Sequence, residues 1–203
     1  MNSKIMIFFQ FMYKYFQTSF FFWIYLCRGL FIYSLVPALC TLFLVLKDIN
    51  AGVDDEKNVT VKQLFKKYYT QHKNSRLMSF IYMLIFILIY TSLYFINKES
   101  NEGYLILIIV FIYILFMTLL MLIYSTVFIA FKEMDKKNGN FLAFLSIFKN
   151  PVASVALIVI LILLNMSINF NFAFFLAFGP FLFGLGVIFS LYKLINESGS
   201  FVA

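Results

Sequence analysis

Acidic residues are scarce in this chain: nine Asp and Glu among 203 residues, none inside a long apolar run. Without an intramembrane carboxylate there is no proton relay of the kind that pumps use. His72 is the one histidine, so no multi-His metal centre can be built, and two cysteines are too few for a zinc site. Cys27 and Cys40 both fall in the first apolar stretch. On one continuous helix, at about 1.5 Å per residue, they stand about 20 Å apart and cannot pair. No G-x-x-x-x-G-K-[ST] or G-x-S-x-G sequence occurs, which removes P-loop hydrolysis and the usual serine-hydrolase elbow. No enzyme activity, metal or cofactor is expected. An A-x-A cleavage site is also missing after the apolar N-terminus, which is read as a retained segment.

What is present is apolar bulk. The chain is 63% hydrophobic and 12% charged, with a mean hydropathy of +0.93, whereas soluble domains carry about 25% charged residues. That composition makes an integral membrane protein of one domain, residues 1–203. The net charge of +7 is spread over short segments flanking apolar spans rather than along one stripe. The partner this favours is the bilayer with its anionic lipid headgroups, not nucleic acid.

The expected fold is all-α: a polytopic membrane helix bundle with five transmembrane helices, an N-terminal interfacial helix and two amphipathic cytoplasmic helices. Ser3, Gln10, Lys14 and Gln17 share one face of residues 1–19, the pattern of a helix lying in the interface plane. Spans follow at 20–46, 77–96, 104–131, 151–170 and 172–194. In the alternative with six spans, Ile5–Leu26 crosses by itself and turns at Arg28 and Gly29. Lys and Arg number seven in Lys47–Arg76, one in Asn97–Gly103, four in Lys132–Asn150 and none in Asn165–Asn171. By the positive-inside rule the two basic connections and the C-terminus are cytoplasmic, in the cell membrane. With five spans the N-terminus then lies outside, where Lys4 and Lys14 fit poorly. Each basic connection carries an amphipathic helix and leads into a hydrophobic hairpin, a repeated design that in transporters often marks a site between units.

Two groups of residues stand out. Arg28, Pro37, Asn165, Gly179 and Pro180 are the candidates for an intramembrane polar or kinked site. Pro37 is expected to kink the first span. Pro180 is expected to free the Leu176 carbonyl, which then needs a donor such as Ser92, Thr118 or water. The other serines and threonines within spans read as helix-packing groups. The second group follows Thr60 and Gln63, which form a capping box. Behind it Val61, Leu64, Phe65, Tyr68 and Tyr69 make one apolar face, and Lys62, Lys66, Lys67 and Lys73, with Arg76 beyond, make a basic one. This helix lies against lipid or under the bundle, offering a surface to a partner or to headgroups.

The runs LVPALCTLFLVLKDINAG and VKQLFKKYYTQHKNS, followed by a hydrophobic hairpin and later by FKNPVASVAL, resemble the YesL-like family of small bacterial membrane proteins. Pro37 and Ala38 stand at the family's Pro-Ala step, Lys47 at its basic turn, Phe65 and Lys66 in its Phe-centred basic helix, and Asn74 and Ser75 at its polar end. Leu35 and Val36 replace the usual small residues before the Pro-Ala step, and the basic turn is reduced to Lys47. Family genes often accompany carbohydrate uptake and degradation genes, and the family has no established catalytic residues. The resemblance therefore implies a non-enzymatic accessory or regulatory component of carbohydrate uptake, partnered by a transporter or another membrane protein. The alternative is a small-solute carrier or channel with its site between the spans.

Overall fold

The computed structural model describes residues 2–52, 59–98, 104–132, 134 and 136–196. Among these residues all regular structure is helical: α1 (Asn2–Arg28), α2 (Leu35–Asn50), α3 (Val61–Gln71), a 3-10 turn (Lys73–Ser75), α4 (Arg76–Lys98), α5 (Leu105–Lys132), α6 (Lys136–Lys149), α7 (Pro151–Phe170), α8 (Phe172–Ser190) and the short α9 (Tyr192–Asn196). Four helices are long and apolar enough to cross a bilayer: α4 with its leading 3-10 turn, α5, α7 and α8. They are consistent with a multi-pass membrane protein. Most of the turn NAGVDDEK and of Asn97–Gly103 lies outside the described residues.

The N-terminal third departs from the expected layout. Residues 1–19 do not form a separate interfacial helix, and 20–46 is not one span. Instead α1 runs unbroken to Arg28, and the chain reverses through residues 29–34 before α2. The reversal has a local cause. Phe31 N–H donates to Leu26 O at 3.1 Å and Leu30 N–H to Cys27 O at 2.9 Å, the paired bonds of a Schellman cap. Such a cap needs a left-handed residue, and here Leu30 (φ 54°) and Phe31 (φ 60°) take that conformation. Ser34 Oγ then donates to Leu26 O at 2.5 Å, and Gly29 leaves the space that Ser34 fills, since a Cβ at Gly29 would lie 2.6 Å from Ser34 Cβ. The hairpin closes at its far end, where Tyr15 Oη donates to Asn50 Oδ1 at 2.6 Å.

The expected kink at Pro37 is replaced by something simpler. Pro37 stands in the first turn of α2, where backbone nitrogens have no intrahelical partner to lose. Its neighbour Val36 N–H, another orphan of that turn, donates to Ser79 Oγ of α4 at 2.9 Å. With its first turn satisfied, α2 can be buried. From Val36 to Ile49 all residues but Leu44, Lys47 and Asp48 are buried, and the helix touches α1, α3, α4, α5 and α8. Gly184 of α8 permits one of these approaches, because a Cβ there would collide with Leu46 Cδ1.

Burial of the four long helices is lopsided. It covers the start of α4 (Met78, Ser79, Tyr82), the end of α5 (Leu120–Ala130), the start of α7 (Ser154, Leu157) and the end of α8 (Gly179–Val187). All four lie at the same end of two antiparallel hairpins, the end that carries the basic connections. The opposite half leaves Tyr90, Tyr94, Ile106, Ile109, Leu163 and Phe170 exposed, an apolar surface suited to lipid. The chain ends differently from the expected span 172–194: α8 stops at Ser190, and Leu191, 1% exposed, turns the chain into α9.

Candidate functional site

The residues expected to form an intramembrane site are not brought together. Arg28 closes α1 and is exposed, Asn165 is exposed on α7, and Pro37, Gly179 and Pro180 are buried in packed helix. The cavities described below are not lined by any of the five.

Pro180 nevertheless does the chemistry expected of it, with a different donor. The helix α8 continues through it. Lacking an N–H, Pro180 leaves the Leu176 carbonyl without its helical partner, and Trp23 Nε1–H of α1 donates to that carbonyl at 2.9 Å. Thr118 does not serve, its Oγ1 bonding back to Ile114 O at 2.8 Å. One residue on, Phe181 N–H donates to Ser19 Oγ at 3.3 Å. Gly179 belongs to the same joint, since a Cβ on it would stand 2.7 Å from the Phe175 ring, which packs edge-on against Trp23 at 5.9 Å between centroids. Pro180 therefore marks a docking seam between α1 and α8. The signal was in the sequence: a proline-freed carbonyl in an apolar setting needs a donor, and the single Trp has one.

The basic helix α3 is the best-defined exposed feature. Its start shows the expected capping box at Thr60 and Gln63, with Thr60 N–H donating to Gln63 Oε1 at 3.0 Å. Its apolar face meets protein rather than lipid. Val61, Leu64, Phe65 and Tyr69 are buried, with Phe65 against Phe21 and Tyr25 and Tyr69 against Tyr25. Each such side chain contributes roughly 1.5–3 kcal/mol when fully buried, well above the roughly 1 kcal/mol per Lys that an anionic surface offers. Tyr68 adds a polar clasp, its hydroxyl donating to Asp48 Oδ2 of α2 at 2.5 Å. Burial first, and then the Asp48 carboxylate, push the Tyr68 phenol well above its ordinary value. Lys62, Lys66, Lys67 and Lys73 remain exposed on the outer side, while Arg76 is half-buried at the start of α4. Arg76 Nε and the Tyr69 hydroxyl are buried without a hydrogen-bond partner.

The second amphipathic helix, expected at 141–148, is α6 and begins earlier, at Lys136. It is tied to the spans by polar groups. Tyr82 Oη and Ser125 Oγ donate to Asn140 Oδ1 at 3.2 and 2.6 Å. Tyr124 Oη lies 3.1 Å from Ser154 Oγ, which is itself 3.1 Å from the carbonyls of Ile147 and Asn150. These hydroxyls are used up in joining helices, as packing groups are.

Among the described residues, three of the cavities open at the basic end. The largest, about 560 Å³, lies between the α1–α2 hairpin and the ends of α5 and α8, with Tyr15, Lys47, Asn50, Phe131, Leu185 and Tyr192 among its walls. One of about 410 Å³ is flanked by Lys149 and Lys193, and one of about 40 Å³ by Lys132 and Lys149. Lys47 Nζ sits over the Phe131 ring, 5.2 Å from its centroid. Among the described residues there is no group of three metal-ligating side chains.

Comparison with known proteins finds no matching family model, no matching curated sequence and no matching solved structure.

Proposed function

We propose that this chain is a non-enzymatic membrane accessory that presents the basic face of α3 to an acidic surface of another membrane protein. The observation that carries this reading is the docking of α3. With its apolar face filled by α1 and α2, Lys62, Lys66 and Lys67 are held outward in fixed register and are not free to sink onto lipid. The likeness of residues 35–75 to the YesL-like family supports a place beside carbohydrate uptake, with a carbohydrate transporter as the partner. The alternative of a carrier has less support, because the hydroxyls placed between helices are spent on one another, on the Asn140 carboxamide oxygen or on a backbone N–H.

In this reading four helices cross the cell membrane. Both basic connections and both chain ends face the cytoplasm, and the α1–α2 hairpin wedges into the cytoplasmic side.

Purification from native membranes under low salt tests the proposal. A partner recovered in fixed stoichiometry, and lost when Lys62, Lys66 and Lys67 are all replaced by Glu while the fold survives, supports it. Solute flux into vesicles containing the purified chain alone would overturn it in favour of a carrier.

A further inference from the structure

The cavity of about 560 Å³ has a chemistry of its own. Its deep walls are apolar, Leu185 and Ile188 of α8 with Phe131 of α5, and its mouth is formed by Phe189 and Tyr192, 71% and 61% exposed. Its rim donates hydrogen bonds rather than accepting them. Among the described residues of the lining Lys47 brings the one charge, and Asn50, whose carboxamide oxygen is occupied by Tyr15, turns its NH₂ into the available polar group. The acid next in sequence, Asp48, is engaged away from the cleft, accepting a hydrogen bond from the Tyr68 hydroxyl of α3, and it is not among the lining residues. A cation and an amide donor at the edge of an apolar cleft of about 560 Å³ complement an anionic headgroup carried on an acyl chain.

We infer that this cleft is a discrete site for one anionic phospholipid, its phosphate on Lys47 and Asn50 and its upper acyl chain along Leu185, Ile188 and Phe131. The inference draws on the topology proposed above only to assign the lipid to the cytoplasmic leaflet; the binding itself holds for either orientation. The site differs from the lysines of α3, which are exposed and line none of the cavities described above.

Native mass spectrometry of the full chain released from detergent micelles, with phosphatidylglycerol or phosphatidylcholine added, tests it. The expected result is one phosphatidylglycerol retained per chain, in preference to phosphatidylcholine. Lys47→Gln should weaken retention about fivefold, which corresponds to the roughly 1 kcal/mol of one Lys beside an anionic headgroup. Lys47→Arg and the control Lys193→Gln should leave it intact. Leu185→Trp, which fills the cleft but keeps the charge, should abolish it, with circular dichroism showing that each variant is folded. Equal retention of both lipids, an unchanged Lys47→Gln protein, a Leu185→Trp protein that still holds lipid, or displacement of the lipid by inorganic phosphate would each overturn the site. None of these results bears on the α3 partner, whose loss is read by co-purification.

Discussion

Replacing Trp23 by Phe removes one hydrogen that matters, the Nε1–H reaching the Leu176 carbonyl at 2.9 Å. Pro180 has taken away that carbonyl's helical donor, so the substitution leaves it with no partner on a helix apolar enough to cross a bilayer. An acceptor left unmade in such a place costs about 1–3 kcal/mol. The smaller ring also loses contact with Phe175, and this second loss would hide the first in a single measurement. A double-mutant cycle separates them. Pro180→Ala restores an N–H at position 180 that can bond Leu176 O from within α8, so in that background Trp23→Phe should cost only the packing. The coupling between the two positions should be about 1–2 kcal/mol, with Trp23→Phe more damaging when proline is present. Reversible denaturant unfolding in mixed micelles, followed by circular dichroism, reads each corner of the cycle. If Trp23→Phe costs the same in both backgrounds, to within the roughly 0.5 kcal/mol expected of independent sites, the carbonyl does not depend on Trp23 and the seam is held by packing alone.

Leu30→Gly should raise thermal stability by about 1 kcal/mol, because Leu30 is left-handed at φ 54° and 75% exposed, so strain is relieved with little packing to lose; a lower melting temperature would contradict the cap assignment. Tyr68 has a folded pKa raised above its unfolded one, so its contribution is complete below the ordinary tyrosine value near pH 10 and is lost as pH rises from there through the raised value. Wild-type melting temperature should therefore fall more steeply than that of Tyr68→Phe between about pH 9 and pH 11, and parallel curves would refute the clasp.

The class, the apolar hairpins and the orientation of α3's two faces were legible in the sequence, since they rest on run length and on a 3.6-residue period. The α1–α2 reversal was legible only in the alternative that turned the chain at Arg28 and Gly29, and it was not the preferred layout for a definite reason. A Schellman cap is normally announced by glycine at the left-handed position, but here Gly29 sits one residue too early and Leu30 carries the left-handed angle. Pro37 then misled: in a continuous span 20–46 it is a kink, whereas in a helix starting at Leu35 it is an ordinary first-turn residue. The seam at Pro180 was half legible, the freed carbonyl from local chemistry and its donor not, because Trp23 lies 153 residues away. Asn140 and Ser79 give no sequence signal as receivers of Tyr82, Ser125 and Val36, since any buried helix can be tied by such groups.

The hairpin also bears on the charge pattern. A single crossing by residues 20–46 would put Lys14 on the side opposite Lys47. In the structure the Tyr15–Asn50 hydrogen bond places Lys14 beside the end of α2, and Lys47 stands over Phe131 at the end of α5. Lys14 and Lys47 thus share the end of the bundle that carries Lys132, Lys149 and Lys193, and Lys14 no longer stands as an exception to the alternation of charge. The prediction is that the N-terminus and both basic connections lie on one side of the membrane. Single cysteines at Ser3, Asp54 and Asn138, in a chain with Cys27 and Cys40 replaced by Ala, should all resist an impermeant maleimide added to intact cells and react once the cells are opened. A cysteine at Ser100 should react without opening. Protection at Asp54 and Asn138 together with labelling at Ser3 would mean that α1 crosses the bilayer after all, and would refute a hairpin returning to its own side.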